Sequence, residues 1–179
     1  PVAALEALAA AAPTAPAAER ARLVALAVAA GRDVERLVTD PQLVSLRPEA
    51  VDLGALARGL ASERVVVTIA GSPRANVDPT RIRQALANLV ENGLRHGTTV
   101  AIDVGARDGR VVVDVADDGP GLDEGLDPFA RGTSGARSTG IGLWLARAIA
   151  EAHDGSLDPV GAGPGARFRL VLPSASGEG

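Results

Sequence analysis

A chain of 179 residues, 46% hydrophobic and 22% charged, has the composition of a globular protein and is long enough for one domain with an appendage. A net charge of −4 with acids and arginines interspersed excludes the basic stripe of a nucleic-acid binder, and the lack of Cys excludes disulfide and thiolate chemistry. All 18 basic residues are Arg, so neither a P-loop lysine nor Schiff-base chemistry is available, and no apolar run approaches the roughly 20 residues that span a bilayer.

Residues 1–47 are rich in Ala and Leu, with helical spacing on both sides of a break at Pro13-Thr14-Ala15-Pro16. This predicts a short helix, a turn and a longer helix from about Ala17 to Val38. The longer helix carries Leu23, Leu26, Ala27, Ala30, Val34 and Leu37 on one face. Such a hairpin has too little core to stand alone and should pack on a partner. From residue 48 onward a second domain is expected. Val65 to Ile69 reads as a strand, and Asp78 as N-cap followed by Pro79 opens a helix running to about Arg95 and stopping at Gly97. Strands from Thr98 to Ala106 and from Arg110 to Ala116 are joined by a tight turn at Arg107-Asp108-Gly109. Asp117 to Thr139 shows no sustained period; a Gly-rich stretch of that length is usually functional. A helix from Ile141 to Ala152 and strands near Ser156–Pro159 and Ala166–Leu172 complete a two-layer α+β sandwich.

Three features carry candidate chemistry. On the helix from Pro79, Ile82, Ala85, Leu86, Leu89 and Gly93 form the core stripe, while Asn88, Asn92 and Arg95 lie along its edge. Two of the three Asn in the chain sit there, mid-helix, which costs stability unless their amide oxygens meet a partner such as hydrated Mg²⁺; backbone or water could also satisfy them. Asp117-Asp118-Gly119-Pro120-Gly121 follows a buried strand and on its own reads as a turn, but a carboxylate there can accept from an amino group while glycines admit a flat ring. If it binds a base, it prefers adenine, which offers that amino donor. Ser138-Thr139-Gly140-Ile141-Gly142-Leu143 opens a helix whose free N–H groups favour an anion, and lacks the third glycine of a dinucleotide fingerprint.

In this order, NLVENGLRHG (Asn88 to Gly97), DDGPG, DPFARG (Asp127 to Gly132), TGIGL (Thr139 to Leu143) and GAGPGARFRLVLP (Gly161 to Pro173) resemble the N, G1, F and G2 boxes and final strand motif of the catalytic domain of sensor histidine kinases, within the GHKL ATPases. The resemblance covers about Val51 to Pro173 and implies a Bergerat-type ATP-binding fold. It implies ATP and Mg²⁺ as cofactors, with Asn92 and Asn88 at the metal and Arg95 where the family often has a Lys facing the phosphates. Asp117 would bind the adenine amino group, with Gly119 and Gly121 shaping the pocket. Thr139, Gly140, Gly142 and Leu143 would lie at the phosphates, and Phe129 and Arg131 would belong to a lid, where Arg131 either contacts the γ-phosphate or is a solvated charge. Glu91 is expected to face solvent rather than act as a base. One Phe stands where the family commonly has two aromatics.

His96 and His153 each end a helix and are read as structural. The segment from Pro1 to Leu5 looks like the continuation of the family's acceptor motif, and Glu19 to Val38 like the second helix of its dimerising hairpin, so the phosphoryl acceptor is expected outside this chain, which begins without Met. The same resemblance implies a response regulator as partner, a homodimer through the hairpin, and a cytoplasmic location with a parent that is membrane-anchored in many relatives. Two alternatives stand beside it: a degenerate nucleotide-binding interaction module, and a GHKL serine kinase of the anti-sigma factor type.

Overall fold

The computed structural model describes residues 45–122, 127–129, 141–161 and 164–175, so the expected hairpin, Arg131, Thr139 and Gly140 lie outside the described residues. The seven strands are β1 (Glu49–Asp52), β2 (Val65–Ile69), β3 (Arg74–Val77), β4 (Val100–Arg107), β5 (Arg110–Asp117), β6 (Ser156–Pro159) and β7 (Arg167–Pro173). The helices are α1 (Leu53–Arg58), α2 (Pro79–His96) and α3 (Ile141–Ala152). Five strands form one sheet in the order β2-β4-β5-β7-β6, parallel between β2 and β4 and antiparallel elsewhere; β1 and β3 pair separately.

Alternation decides which face of the sheet is covered. Val100, Ile102 and Val104 on β4, Val111, Val113 and Val115 on β5, and Phe168, Leu170 and Leu172 on β7 are all buried. They meet Ile82, Leu86 and Leu89 of α2 and Leu145 and Ile149 of α3 in one apolar core, so the α+β sandwich has helices on one side. The residues between them on the strands face the open side, where Arg169 grips Asp114 of the neighbouring strand with two bonds of 2.7 and 2.8 Å.

The start of α2 follows from its cap. Asp78 Oδ1 accepts from the main-chain N–H groups of Thr80 and Arg81 (3.0 and 3.2 Å), two donors that the helix itself leaves unpaired. His153, buried just past the end of α3, ties the two helices together. Its Nε2 accepts from the Asp78 N–H (3.0 Å) and its Nδ1 lies 2.8 Å from the Ile149 carbonyl, which requires the hydrogen on Nδ1. The expectation of a structural role for His153 thus has a physical basis.

The far end of α2 is held from two sides. Arg64 donates to the main-chain oxygens of Gly97 and Thr98 (3.2 and 2.7 Å), placing a cation at the helix C-terminus. Asp118 accepts from the N–H groups of Thr98 and Thr99 (2.6 and 2.9 Å) and from both threonine hydroxyls. These bonds, the Thr98 hydroxyl foremost, hold the Asp118 carboxyl well below its ordinary value of 3.8. At Asp78 burial opposes ionisation, but the N–H donors of Arg47, Arg81 and Thr80 together outweigh it and again lower the value. A depressed folded-state value means stability that is complete above the unfolded value and drains away as pH falls through the folded one. Melting temperature should therefore be insensitive to these two groups from about pH 5 upward and fall below about pH 4. Asp118→Asn should lower the melting temperature at pH 7 and make the acid limb shallower; an unchanged acid limb in thermal melts would contradict the clamp.

Candidate functional site

Glycine at position 93 lets α2 lie directly on the end of β5. A Cβ there would stand 2.7 Å from Val100 Cγ2 and 3.2 Å from Asp117 Cβ, both tighter than packing tolerates. The helix edge that carries Asn88 and Asn92 is thereby fixed beside the strand end that carries Asp117. Asp117 is half-buried, and its Oδ1 accepts from the N–H groups of Gly119 (2.9 Å) and Ala166 (3.1 Å). Its other oxygen, Oδ2, accepts nothing from any described residue. One carboxylate oxygen is committed to the scaffold and one remains for a donor from outside.

Across α2, the Asn88 side chain is 9% exposed and its Nδ2 donates to the Gly142 carbonyl at 3.3 Å. Because that carbonyl can only accept, the amide orientation is fixed by chemistry and Oδ1 points away from the bond. Asn92 is half-buried, and its carboxamide has no hydrogen-bond partner among the described residues. No buried side-chain polar atom among those residues lacks a partner, so the free amide oxygens are reachable from solvent. Carboxamide oxygens suit a hard cation. The described residues contain no cluster of three or more acids or histidines that could cage one, so a metal here would draw most of its ligands from water and phosphate. Gly142 and Leu143 begin α3 beside Asn88, and Leu143 is buried with the core.

Several candidates have a different setting from the one their spacing alone suggests. The Arg95 guanidinium donates to Glu91 at 3.2 Å, and the two line a shallow groove on the outer side of α2 with Leu60, Ala87, Val90 and Leu94. Glu91 is exposed, as expected. Phe129 is 5% exposed and part of the core: its ring meets Phe168 edge-on with centroids 5.9 Å apart, and the Arg147 guanidinium lies 4.9 Å over it. It is a root for the segment around it rather than a cover over the strand end. Gly119 supplies an N–H to Asp117, and Gly121, with φ of 90°, turns the chain away. Sequence reasoning missed the part played by Ala166, whose contribution is a main-chain N–H that any residue would bring. The only signal for it was the left-handed Gly165 preceding it, with φ of 84°.

The arrangement has counterparts among known proteins. Residues 77–176 match the family described as histidine kinase-, DNA gyrase B-, and HSP90-like ATPase. Sensor histidine kinase component HK1 of Mycobacterium tuberculosis is 33% identical over 111 residues, which are 55% of this chain and 64% of that protein. The chain thus spans less than two thirds of that relative's length. Among solved structures, the histidine kinase AdeS of Acinetobacter baumannii superposes with a TM-score of 0.69 at 19% identity, covering 96% of this chain and 94% of that one, a likeness of fold. Full-length ShkA in complex with AMPPNP gives a TM-score of 0.64 at 26% identity, covering 89% of this chain and 40% of that one. The matched family model spans more than half of the sequence and includes α2, the Asp117 turn and α3, and this chain belongs to the histidine kinase-, DNA gyrase B-, and HSP90-like ATPase family.

Proposed function

We propose that this chain is the ATP-binding catalytic part of a sensor histidine kinase, passing the γ-phosphoryl group of Mg-ATP to a histidine other than His96 and His153. The observation that carries the reading is the open Oδ2 of Asp117, set beside a helix edge whose amide oxygens are unspent. The adenine amino group would donate to that oxygen, in a slot bounded by Gly119 and Gly121. Asn92, helped by Asn88, would hold Mg²⁺ against the phosphates, and Gly140, Gly142, Thr139 and Leu143 would lie along the triphosphate at the start of α3. Phosphoryl transfer asks little more of such a domain than positioning and neutralisation of charge, which these groups supply. Arg95 would have to leave Glu91 to reach a phosphate; Arg131 would approach from the segment that Phe129 roots.

His153 is buried with both ring nitrogens engaged, and His96 closes the helix that carries the site, so neither is an acceptor. The acceptor histidine would come from a dimerising hairpin of the kind read in residues 1–47, and the phosphoryl group would pass on to a response regulator. No helix among the described residues is long and apolar enough to cross a membrane. We place the chain on the cytoplasmic side of a parent that is membrane-anchored in many relatives.

Titration tests the reading directly. Trp144, the sole tryptophan, sits on α3 two residues beyond Gly142 and offers a fluorescence signal beside calorimetry. The expected result is binding in the micromolar range, on the order of −8 kcal/mol, that favours ATP over GTP. Asn92→Ala should retain nucleotide binding and lose most of its dependence on Mg²⁺. Equal affinity for the two purines would overturn the assignment of Asp117.

A further inference from the structure

The two oxygens of Asp117 are not equivalent. Oδ1 receives two main-chain hydrogens, from Gly119 at 2.9 Å within its own turn and from Ala166 at 3.1 Å on the far side of the sheet. The second bond depends on an unusual approach. Gly165 lies over the Asp117 carbonyl with φ of 84°, and a Cβ at Gly165 would overlap the main-chain oxygen of Asp117. The strand pairing continues through this point, where the Asp117 N–H donates to the Ala166 carbonyl at 2.9 Å. Both donors are parts of the backbone and cannot turn round or become acceptors. Whatever side chain stands at position 117, the atom facing them must accept.

We propose that the main-chain N–H groups of Gly119 and Ala166, brought together by Gly165, fix the hydrogen-bond polarity of position 117 and so make its outward atom the residue's purine selector. This deepens the reading of Asp117 as the adenine acceptor and rests on it. With aspartate the outward atom is Oδ2, an acceptor, which suits a 6-amino purine. With asparagine the amide oxygen is drawn to the two N–H groups, because the reverse orientation sets donors against donors and forfeits both bonds. The amide NH₂ then faces outward as a donor, which rejects a 6-amino group and suits a 6-oxo group. A single atom exchange should invert the preference between purines instead of merely abolishing binding.

Inosine triphosphate is the probe, because it carries the 6-oxo group without the 2-amino group of guanine. Calorimetric titrations of the full 179-residue chain with Mg-ATP and Mg-ITP should show the parent favouring ATP on the order of tenfold or more. Asp117→Asn should favour ITP by a similar factor. Adding Gly165→Ala to Asp117→Asn should displace the Ala166 N–H, let the amide turn either way and bring the two affinities close to equal. Loss of the purine preference in the parent would sink the adenine reading itself. An Asp117→Asn variant with native circular dichroism that still favours ATP, or binds neither nucleotide, would overturn the proposed polarity while leaving the adenine reading intact. Should the variants not fold, the parent protein decides. In proton–nitrogen spectra recorded during acidification, the Gly119 and Ala166 amide protons should shift together with the Asp117 carboxyl carbon; independent shifts would overturn the proposal.

Discussion

Asp117→Ala is expected to weaken ATP binding by at least about a hundredfold, because it removes the only described group placed to accept from the purine while leaving the surrounding apolar frame intact. The substitution acts on the scaffold as well. The N–H groups of Gly119 and Ala166 lose their acceptor at Oδ1, and each donor left without a partner in a half-buried turn costs about 1 to 3 kcal/mol. A drop in melting temperature should therefore accompany the lost binding. Asp117→Asn differs, since it keeps an oxygen for both donors and should melt closer to the parent. Thermal melts and calorimetry on both variants separate these effects, and an alanine variant that binds ATP as well as the parent would contradict the assignment.

The second large effect is expected at Gly93. Valine there would drive branched carbons into Val100 and the Cβ of Asp117, where even a single methyl stands 2.7 and 3.2 Å from its neighbours. Val100 is itself fully enclosed and stiff about χ1, so it cannot swing aside, and α2 must rise from the sheet. Overpacking of this kind costs about 1 to 3 kcal/mol. More important for the site, the lift widens the gap between Asn92 and Asp117, so ATP affinity should fall by about a hundredfold, since positioning errors of about an ångström cost that much. Chemical denaturation gives the first quantity and titration the second; a Gly93→Val variant with unaltered affinity would show that the contact of α2 with β5 does not set the site's geometry.

Much of this was legible in the sequence where local chemistry decides the outcome. Asp78-Pro79 marks a capped helix start in any context, and Asp108-Gly109, both with positive φ, make the two-residue turn that joins β4 to β5. The three short elements β1, α1 and β3 were not foreseen. They have four, six and four residues, too few for a period to emerge, and tertiary partners hold them: β1 pairs with β3, and Ala75 bridges to Ser174 near the C-terminus.

The candidate site divides in the same way. Spacing put Asn88, Asn92 and Arg95 on one edge of α2, because helical geometry alone does so. It could not show that Arg95 engages Glu91, a choice between nearby partners that torsions and solvent decide. It could not show that Phe129 joins the core through Phe168 and Arg147, since those residues come from β7 and α3. Nor could it show the Ala166 N–H at Asp117, because a main-chain donor leaves no mark on residue identity.

The most direct measurement is a crystal structure of the chain with Mg²⁺ and a non-hydrolysable ATP analogue. The adenine amino group should lie within hydrogen-bond distance of Asp117 Oδ2 while Oδ1 keeps the N–H groups of Gly119 and Ala166, and an Asn92 oxygen should face the metal. A nucleotide bound elsewhere, or one whose base leaves Asp117 Oδ2 unpaired, would contradict the account.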